Sequence, residues 1–206
     1  MLSLDNRPLI DFSVKYALRH KDILDKIIIT TDDEKILDFY KTHRNILLHK
    51  RPPELAEDDT PTVDAVRECV LNVPVDSDYI VLLQPTNPLR PANLLVKAIE
   101  IIERTKQDNL MTVSPLTKKL GRIEDNRFMP YNYTPGQRSQ DMEPLFYENG
   151  LLYLTKREDI LAGKIITEDV YPLIVEHPFG TVDIDTKEDF DYALFLLKKY
   201  DENTSF

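Results

Sequence analysis

The sequence predicts an α/β fold, a doubly wound and mainly parallel sheet carrying one irregular insert. Three observations predict it. Short apolar runs alternate with amphipathic segments along most of the chain, the signature of β–α units. The most apolar run, Tyr79-Ile80-Val81-Leu82-Leu83, has no polar alternation, as in a strand covered on both faces. The stretch 116–148 breaks the rhythm, being rich in Pro, Tyr, Asn, Arg and Gln with no sustained period.

Taken in order, Pro8 suits the first turn of a helix running to about His20, with Ile10, Val14, Ala17 and Leu18 on one face. Lys26 to Thr30 reads as a buried strand. Thr31-Asp32-Asp33 caps a helix to about Thr42, and Asn45 to His49 is a second strand. After the Pro- and acid-rich loop Arg51 to Asp59, Thr60-Pro61 opens a helix with Val63, Val66 and Val70 on one face. Tyr79 to Leu83 is a strand. Gln84 to Arg90 is a loop stiffened by Pro85 and Pro88. A helix over Pro91–Thr105 buries Leu94 or Leu95, Ala98, Ile99 and Ile102, and Leu110 to Ser114 is a strand. Beyond the insert, Leu151 to Thr155 is a strand and Arg157 to Leu161 a short helix. Pro172 to Glu176 and Thr181 to Asp185 are strands. A last helix over Thr186–Tyr200 carries Phe190, Ala193, Leu194 and Leu197 inward.

Composition excludes several classes. The net charge of −10 argues against nucleic acid or an anionic membrane surface as partner. No apolar run is long enough to span a bilayer, and the first residues lack a basic and apolar leader. One cysteine, Cys69, permits no intrachain disulfide and no cysteine-based metal site, which fits a cytoplasmic setting. It lies beside Val66 and Val70 as a small core residue. His20, His43, His49 and His177 show no metal spacing. With 5 glycines there is no Gly-rich phosphate cradle.

Three segments could carry chemistry. In Val182-Asp183-Ile184-Asp185-Thr186 the two carboxylates lie two residues apart, so an extended backbone turns both to one side with Cα atoms about 6.6 Å apart. Such a pair at the edge of an open α/β sheet can hold Mg²⁺ together with substrate phosphates. The plainer alternative is a solvated strand end that caps the last helix. In Leu82 to Arg90 a buried strand delivers Gln84 to the sheet edge, where an amide suits sugar hydroxyl and carbonyl groups, and Arg90 offers a fork for a carboxylate or phosphate. The alternative is a turn whose polar groups satisfy its own backbone. Arg51 leaves a strand where it could meet a phosphate, or else sits in a surface salt bridge.

These segments resemble the CMP-sialic acid synthetases (acylneuraminate cytidylyltransferases), whose relatives activate legionaminic and pseudaminic acids. The matching stretches are Pro8-Leu9-Ile10-Asp11, Ile29-Thr30-Thr31-Asp32-Asp33, Arg51-Pro52-Pro53-Glu54-Leu55-Ala56, Leu82 to Arg90, Glu148-Asn149-Gly150-Leu151-Leu152-Tyr153 and Val182 to Thr186. Each is weak alone; their order along the chain is specific. The resemblance implies a Rossmann-like nucleotidyltransferase fold, one domain over 1–206, with 116–148 as a dimerisation subdomain. It implies a cytidylyltransferase that joins CTP to an acidic nine-carbon sugar, giving CMP-sugar and pyrophosphate. Asp185 looks like a metal ligand and Asp183 a substrate or metal partner, the two forming the catalytic acidic pair, with Mg²⁺ as cofactor. Arg51 and Thr62 look like nucleotide contacts. Gln84, Arg138 and Gln140 look like sugar contacts. Arg138 and Gln140 fall where the family has Arg-Arg-Gln-Asp, and here the second arginine is Ser139. A homodimer is implied, its insert reaching the partner's sugar site.

The family also begins with a central strand and a phosphate loop, and nothing here matches them. The expectation is an N-terminally incomplete domain, from a late start or a truncation, with two unpaired strands and impaired activity. Two rivals accompany the enzyme: a non-catalytic sugar- or nucleotide-binding remnant of the same fold, and a nucleotidyltransferase for another base or sugar, such as an eight-carbon ulosonic acid.

Overall fold

A computed structural model of the 206-residue chain describes residues 2–74 and 76–200. The chain opens on a hairpin rather than directly on a helix. Strands β1 (Ser3–Leu4) and β2 (Arg7–Pro8) pair antiparallel. Their turn residues Asp5 and Asn6 both take left-handed φ values of 49° and 58°, a conformation that Asn and Asp tolerate best among residues with a Cβ. Pro8 then sits at the N-cap of α1 (Leu9–Arg19), one position earlier than expected.

Helix and strand alternate from there: β3 (Ile28–Thr31), α2 (Glu34–Tyr40), β4 (Leu47–Lys50), α3 (Thr62–Asn72), β5 (Tyr79–Leu82), α4 (Leu94–Thr105) and β6 (Asn109–Leu116). Asp33 caps α2 as its position predicts, accepting from the Lys35 N–H at 2.8 Å. Thr60 does not cap α3. Its hydroxyl donates to the Glu54 carbonyl, and Pro61 is the N-cap.

The insert has more order than its composition suggests. Strands β7 (Gly121–Glu124) and β8 (Arg127–Pro130) form a hairpin whose turn, Asp125-Asn126, repeats the left-handed pair seen at Asp5-Asn6. Strand β9 (Leu145–Lys156) starts inside the insert and runs on into the core, longer than the expected Leu151 to Thr155. The short helix α5 (Arg157–Leu161), strand β10 (Tyr171–Ile174) and the final helix α6 (Lys187–Tyr200) follow.

The main sheet has four strands in the order β10-β6-β9-β5, and β9 runs against the other three. Strands β3 and β4 form a separate parallel pair. Helix α4 covers the main sheet, both Leu94 and Leu95 being buried with Ala98 and Ile102 against Leu110, Leu151 and Leu154. A second core joins Phe12 of α1 and Leu89 to Ala193, Leu196 and Leu197 of α6. Each such fully buried aliphatic side chain contributes about 1.5–3 kcal/mol.

Between β3 and β5 the two sheets do not meet. A cavity of about 520 Å³ lies there, lined by Ile28, Ile29 and Thr30 on one side and Tyr79 to Leu83 on the other. Among the described residues, β3 is laddered only to β4 and β5 only to β9.

Candidate active site

The loop after β5 is the centre of the site, and its rigidity comes from buried polar groups. Arg90 is 1% exposed. Its guanidinium donates to the Leu151 carbonyl at 2.6 Å, the Ser13 hydroxyl at 2.9 Å and the Gln84 carbonyl at 2.8 Å. Burial draws its pKa below the ordinary arginine value, with the nearby Tyr16 opposing. The expectation that Arg90 presents a fork to a ligand is thus corrected: it is spent on the backbone, pinning the loop to α1 and β9.

Asn87, also buried, pins the other end. Its side-chain amide donates to the Asn149 carbonyl at 3.1 Å and to the Val182 carbonyl at 2.9 Å. The Ile184 N–H donates to the Thr86 carbonyl at 2.9 Å. Gly150 is obligatory beside it, because its φ is +69° and a Cβ there would stand 2.5 Å from Asn87 Oδ1. Two loops and the segment 182–184 are so locked into one rim.

That segment is not a strand. Pro178–Thr181 forms a single helical turn, residues 182–184 follow without a ladder, and a bend at 185–186 leads into α6. The strand expectation fails because Val182 and Ile184 bond to the loop at 86–87 rather than to a neighbouring strand. The alternation survives: Val182 and Ile184 are buried, whereas Asp183 and Asp185 are exposed on the other side. The polar side chains of Thr86 and Asn87 pull the Asp183 carboxyl down. Partial burial and the Asp185 charge push it up and outweigh that pull, leaving the carboxyl above the ordinary value. The backbone N–H groups of Asp185 and Thr186 donate to Asp189 Oδ2, so it is Asp189 that organises the start of α6.

Tyr153 on β9 completes this flank. Its hydroxyl donates to Glu148, and burial first, then Glu148 and Asp183, raise its pKa. Sequence reasoning quoted Glu148, Tyr153 and Asn87 within motifs without giving them roles. Asn87, in a loop stiffened by Pro85 and Pro88, carries a usable signal, since a turn-favouring polar residue in a rigid loop commonly bonds backbone.

The other expected residues fall at varied distances from this rim. Gln84 is half-buried, with its carbonyl bound by Arg90, and among the described residues none hydrogen-bonds its side-chain amide. Arg51 is half-buried, and among the described residues no carboxylate forms a salt bridge with it. Its Nη2 donates to the Thr30 carbonyl at 2.8 Å, at the end of β3. Arg51, Ser13 and Pro85 line the same cavity, and the Ser13 hydroxyl lies 3.5 Å from the Gln84 carbonyl. Thr62 is exposed at the first turn of α3. Arg138 and Gln140 are exposed in the insert, and the Arg138 fork is taken by Asp141 at 2.8 and 3.0 Å. Among the described residues no contact joins either to Asp183 or Gln84.

Cys69 is buried and its thiol pushed up to about 11 by burial, with Glu68 adding to the shift, so it is no nucleophile. Among the described residues no helix is long and apolar enough to cross a membrane, and no three His, Cys, Asp or Glu side chains gather to hold a metal.

Comparison with known proteins agrees with this architecture. A family model described as cytidylyltransferase matches residues 1–204. The N-acylneuraminate cytidylyltransferase of Streptococcus agalactiae is 27% identical over 200 residues, covering 94% of this chain and 48% of that protein. The chain therefore spans about half the length of that relative. The CMP-N,N'-diacetyllegionaminic acid synthase of Legionella pneumophila is 27% identical over 203 residues, covering 93% and 84%. Among solved structures, the 4-diphosphocytidyl-2C-methyl-D-erythritol synthase of Anaerococcus prevotii superposes with a TM-score of 0.70 at 16% identity, covering 95% and 88%. That last likeness shows a shared α/β fold.

Proposed function

This chain belongs to the cytidylyltransferase family, and from that premise we propose that its rim takes part in transferring CMP from CTP to an acidic nine-carbon sugar. The observation that carries this reading is the clamp of Thr86 and Asn87 on the extended segment 182–184, which turns Asp183 and Asp185 outward beside the Gln84 loop. The names of the streptococcal and Legionella relatives supply the sugar class.

The sugar's anomeric hydroxyl attacks the α-phosphorus of CTP, and pyrophosphate leaves. Catalysis of this kind is positioning and charge neutralisation. Gln84 would orient the sugar through its unengaged amide. Arg51, docked on Thr30, would meet the nucleotide's phosphates, and Thr62 its polar groups. Asp183 and Asp185 fit Mg²⁺: both are hard oxygen donors on one face, and this ion is commonly held by one or two carboxylates plus substrate phosphates. When bound, it would offset the charge that builds on the phosphates.

The exposed apolar side chains of the β7–β8 hairpin, Ile123, Phe128 and Met129 with Tyr131 beyond it, favour 116–148 as the face of a homodimer. In such a dimer Arg138 and Gln140 would reach the partner's sugar. A reducing cytoplasm suits the single buried thiol.

The test is CMP-sugar formation from CTP, Mg²⁺ and sialic, legionaminic or pseudaminic acid, followed by pyrophosphate release, with Asp183→Asn and Asp185→Asn beside the parent chain. Weak turnover with one sugar, in keeping with the expected impairment and lost by more than about a hundredfold in either variant, is expected, in line with removing one charge-stabilising group. Turnover untouched by both substitutions would remove the carboxylates from the reaction.

A further inference from the structure

Thr30 of β3 and His49 of β4 stand opposite each other in the parallel ladder, so their side chains share one face of the pair. Glu68 of α3 meets that face. His49 Nε2 lies 3.1 Å from Glu68 Oε2, and the ring is 10% exposed. His49 Nδ1 lies 2.9 Å from Thr30 Oγ1. Arg51, which follows β4, donates from Nε to that same hydroxyl oxygen at 3.5 Å, the long limit of such a bond, and from Nη2 to the Thr30 carbonyl at 2.8 Å. Glu68 and Arg51 both act on the Cys69 thiol, in opposite senses, so carboxylate and guanidinium flank one spot.

The direction of the hydrogens follows from Glu68. Its Oε2 is shielded from water and, among the described residues, accepts no fully aligned hydrogen bond. A shielded carboxylate oxygen is costly unless a donor faces it. A bare ring nitrogen would set a lone pair against it, so Nε2 carries the hydrogen. Nδ1 of the neutral ring is then an acceptor, and the Thr30 hydroxyl donates to it. That commits the hydroxyl's hydrogen and leaves its lone pairs to Arg51. Guanidinium, hydroxyl, ring and carboxylate donate in one direction, an order in which hydrogen bonds strengthen one another.

We propose that His49 is a positioning residue: Glu68 fixes its tautomer, the ring turns the Thr30 hydroxyl, and the hydroxyl holds Arg51 in one orientation for the nucleotide's phosphates. A side chain already ordered loses less freedom on binding. The relay rests on the reading of Arg51 as a nucleotide contact. Its groups all belong to β3, β4, α3 and the residue after β4, so it needs no gap beside β3.

The test is CTP binding to the 206-residue chain by calorimetry, with circular dichroism to show that each variant is folded. Thr30→Val and His49→Phe should each weaken CTP about tenfold, one hydrogen bond's worth. The double variant should bind no more weakly than the worse single one, since both break the same chain. His49→Asn, whose Oδ1 falls where Nδ1 stood, should recover most of the affinity. A mere fastening of α3 to β4 would not be restored this way, because Asn does not reach Glu68. Nitrogen NMR in mildly alkaline solution should find the His49 hydrogen on Nε2. Equal CTP affinity in His49→Phe, losses that add in the double variant, no recovery in His49→Asn, or a hydrogen on Nδ1 would each overturn the relay alone. A parent chain without affinity for CTP would overturn the nucleotide role of Arg51 and the relay with it.

Discussion

Asn87 shows how much one amide can hold. It satisfies two buried carbonyls from distant parts of the chain, and truncation leaves both unmet. Asn87→Ala should cost about 2–4 kcal/mol at one to two kcal/mol per abandoned group. For a chain of this size that lowers Tm by roughly 4–16 °C, which calorimetry would register; a shift under a degree would show the clamp to be idle. Asp183 makes a second prediction. Its carboxyl sits above the ordinary value because of burial and Asp185, so its proton persists to higher pH than in a free Asp, near 3.9 or so. Carbon-detected NMR should find its midpoint above that figure. Asp185→Asn should move the midpoint down, because a like charge is gone; an upward move would contradict the assignment. The outward turn of both carboxylates was legible in the Val-Asp-Ile-Asp alternation. Their clamp was not, because it depends on a carbonyl ninety-five residues from Asn87 along the chain. Arg90 was misread for a related reason: an arginine in a loop looks ligand-facing until the carbonyls that surround it are known.

Elements were more readable than residues. The helices from α2 to α6 fell close to their expected spans, since their apolar stripes and the Asp33 cap are local signals. Both hairpins escaped notice. Each is a pair of very short strands around Asp-Asn, a turn chemistry visible in the sequence but overshadowed at Asp5-Asn6 by the helix that follows and at Asp125-Asn126 by polar composition. The second hairpin carries a prediction of its own. Ile123 is 79% exposed and Phe128 55%, an arrangement that a lone chain gains nothing from. The double variant Ile123→Glu, Phe128→Glu should sediment as a monomer where the parent sediments as a dimer. Its Tm, in dilute solution, should change little, as surface substitutions usually do. A parent chain that is already monomeric would remove the hairpin from any interface.

At the scale of the molecule the sheet comes in two parts, and its stability should follow. The β6–β9 ladder lies between β10 and β5 under α4, whereas among the described residues β3 and β4 pair only with each other. Amides of β6 and β9 should exchange slowest, and those of β3 faster by roughly tenfold or more, as in locally opening units. Uniform protection across β3 and β9 would argue that the two parts unfold together. The alternation of elements, and so the fold class, was legible because buried strands and amphipathic helices leave strong patterns. The antiparallel sense of β9 was not, since direction leaves no mark in local composition. That strand also carries a discontinuity. Its pairing with β6 shifts between Met111 and Val113, so that Tyr153 faces Met111 while Glu148 faces Val113. The residues between them, Asn149 to Leu152, form an elbow, with the β7–β8 arm on one side and the sheet on the other. Asn87 is bolted to that elbow and to the Val182 carbonyl beside Asp183, so a torque applied to the arm is delivered to the carboxylates, and whatever grips the arm has a handle on the rim.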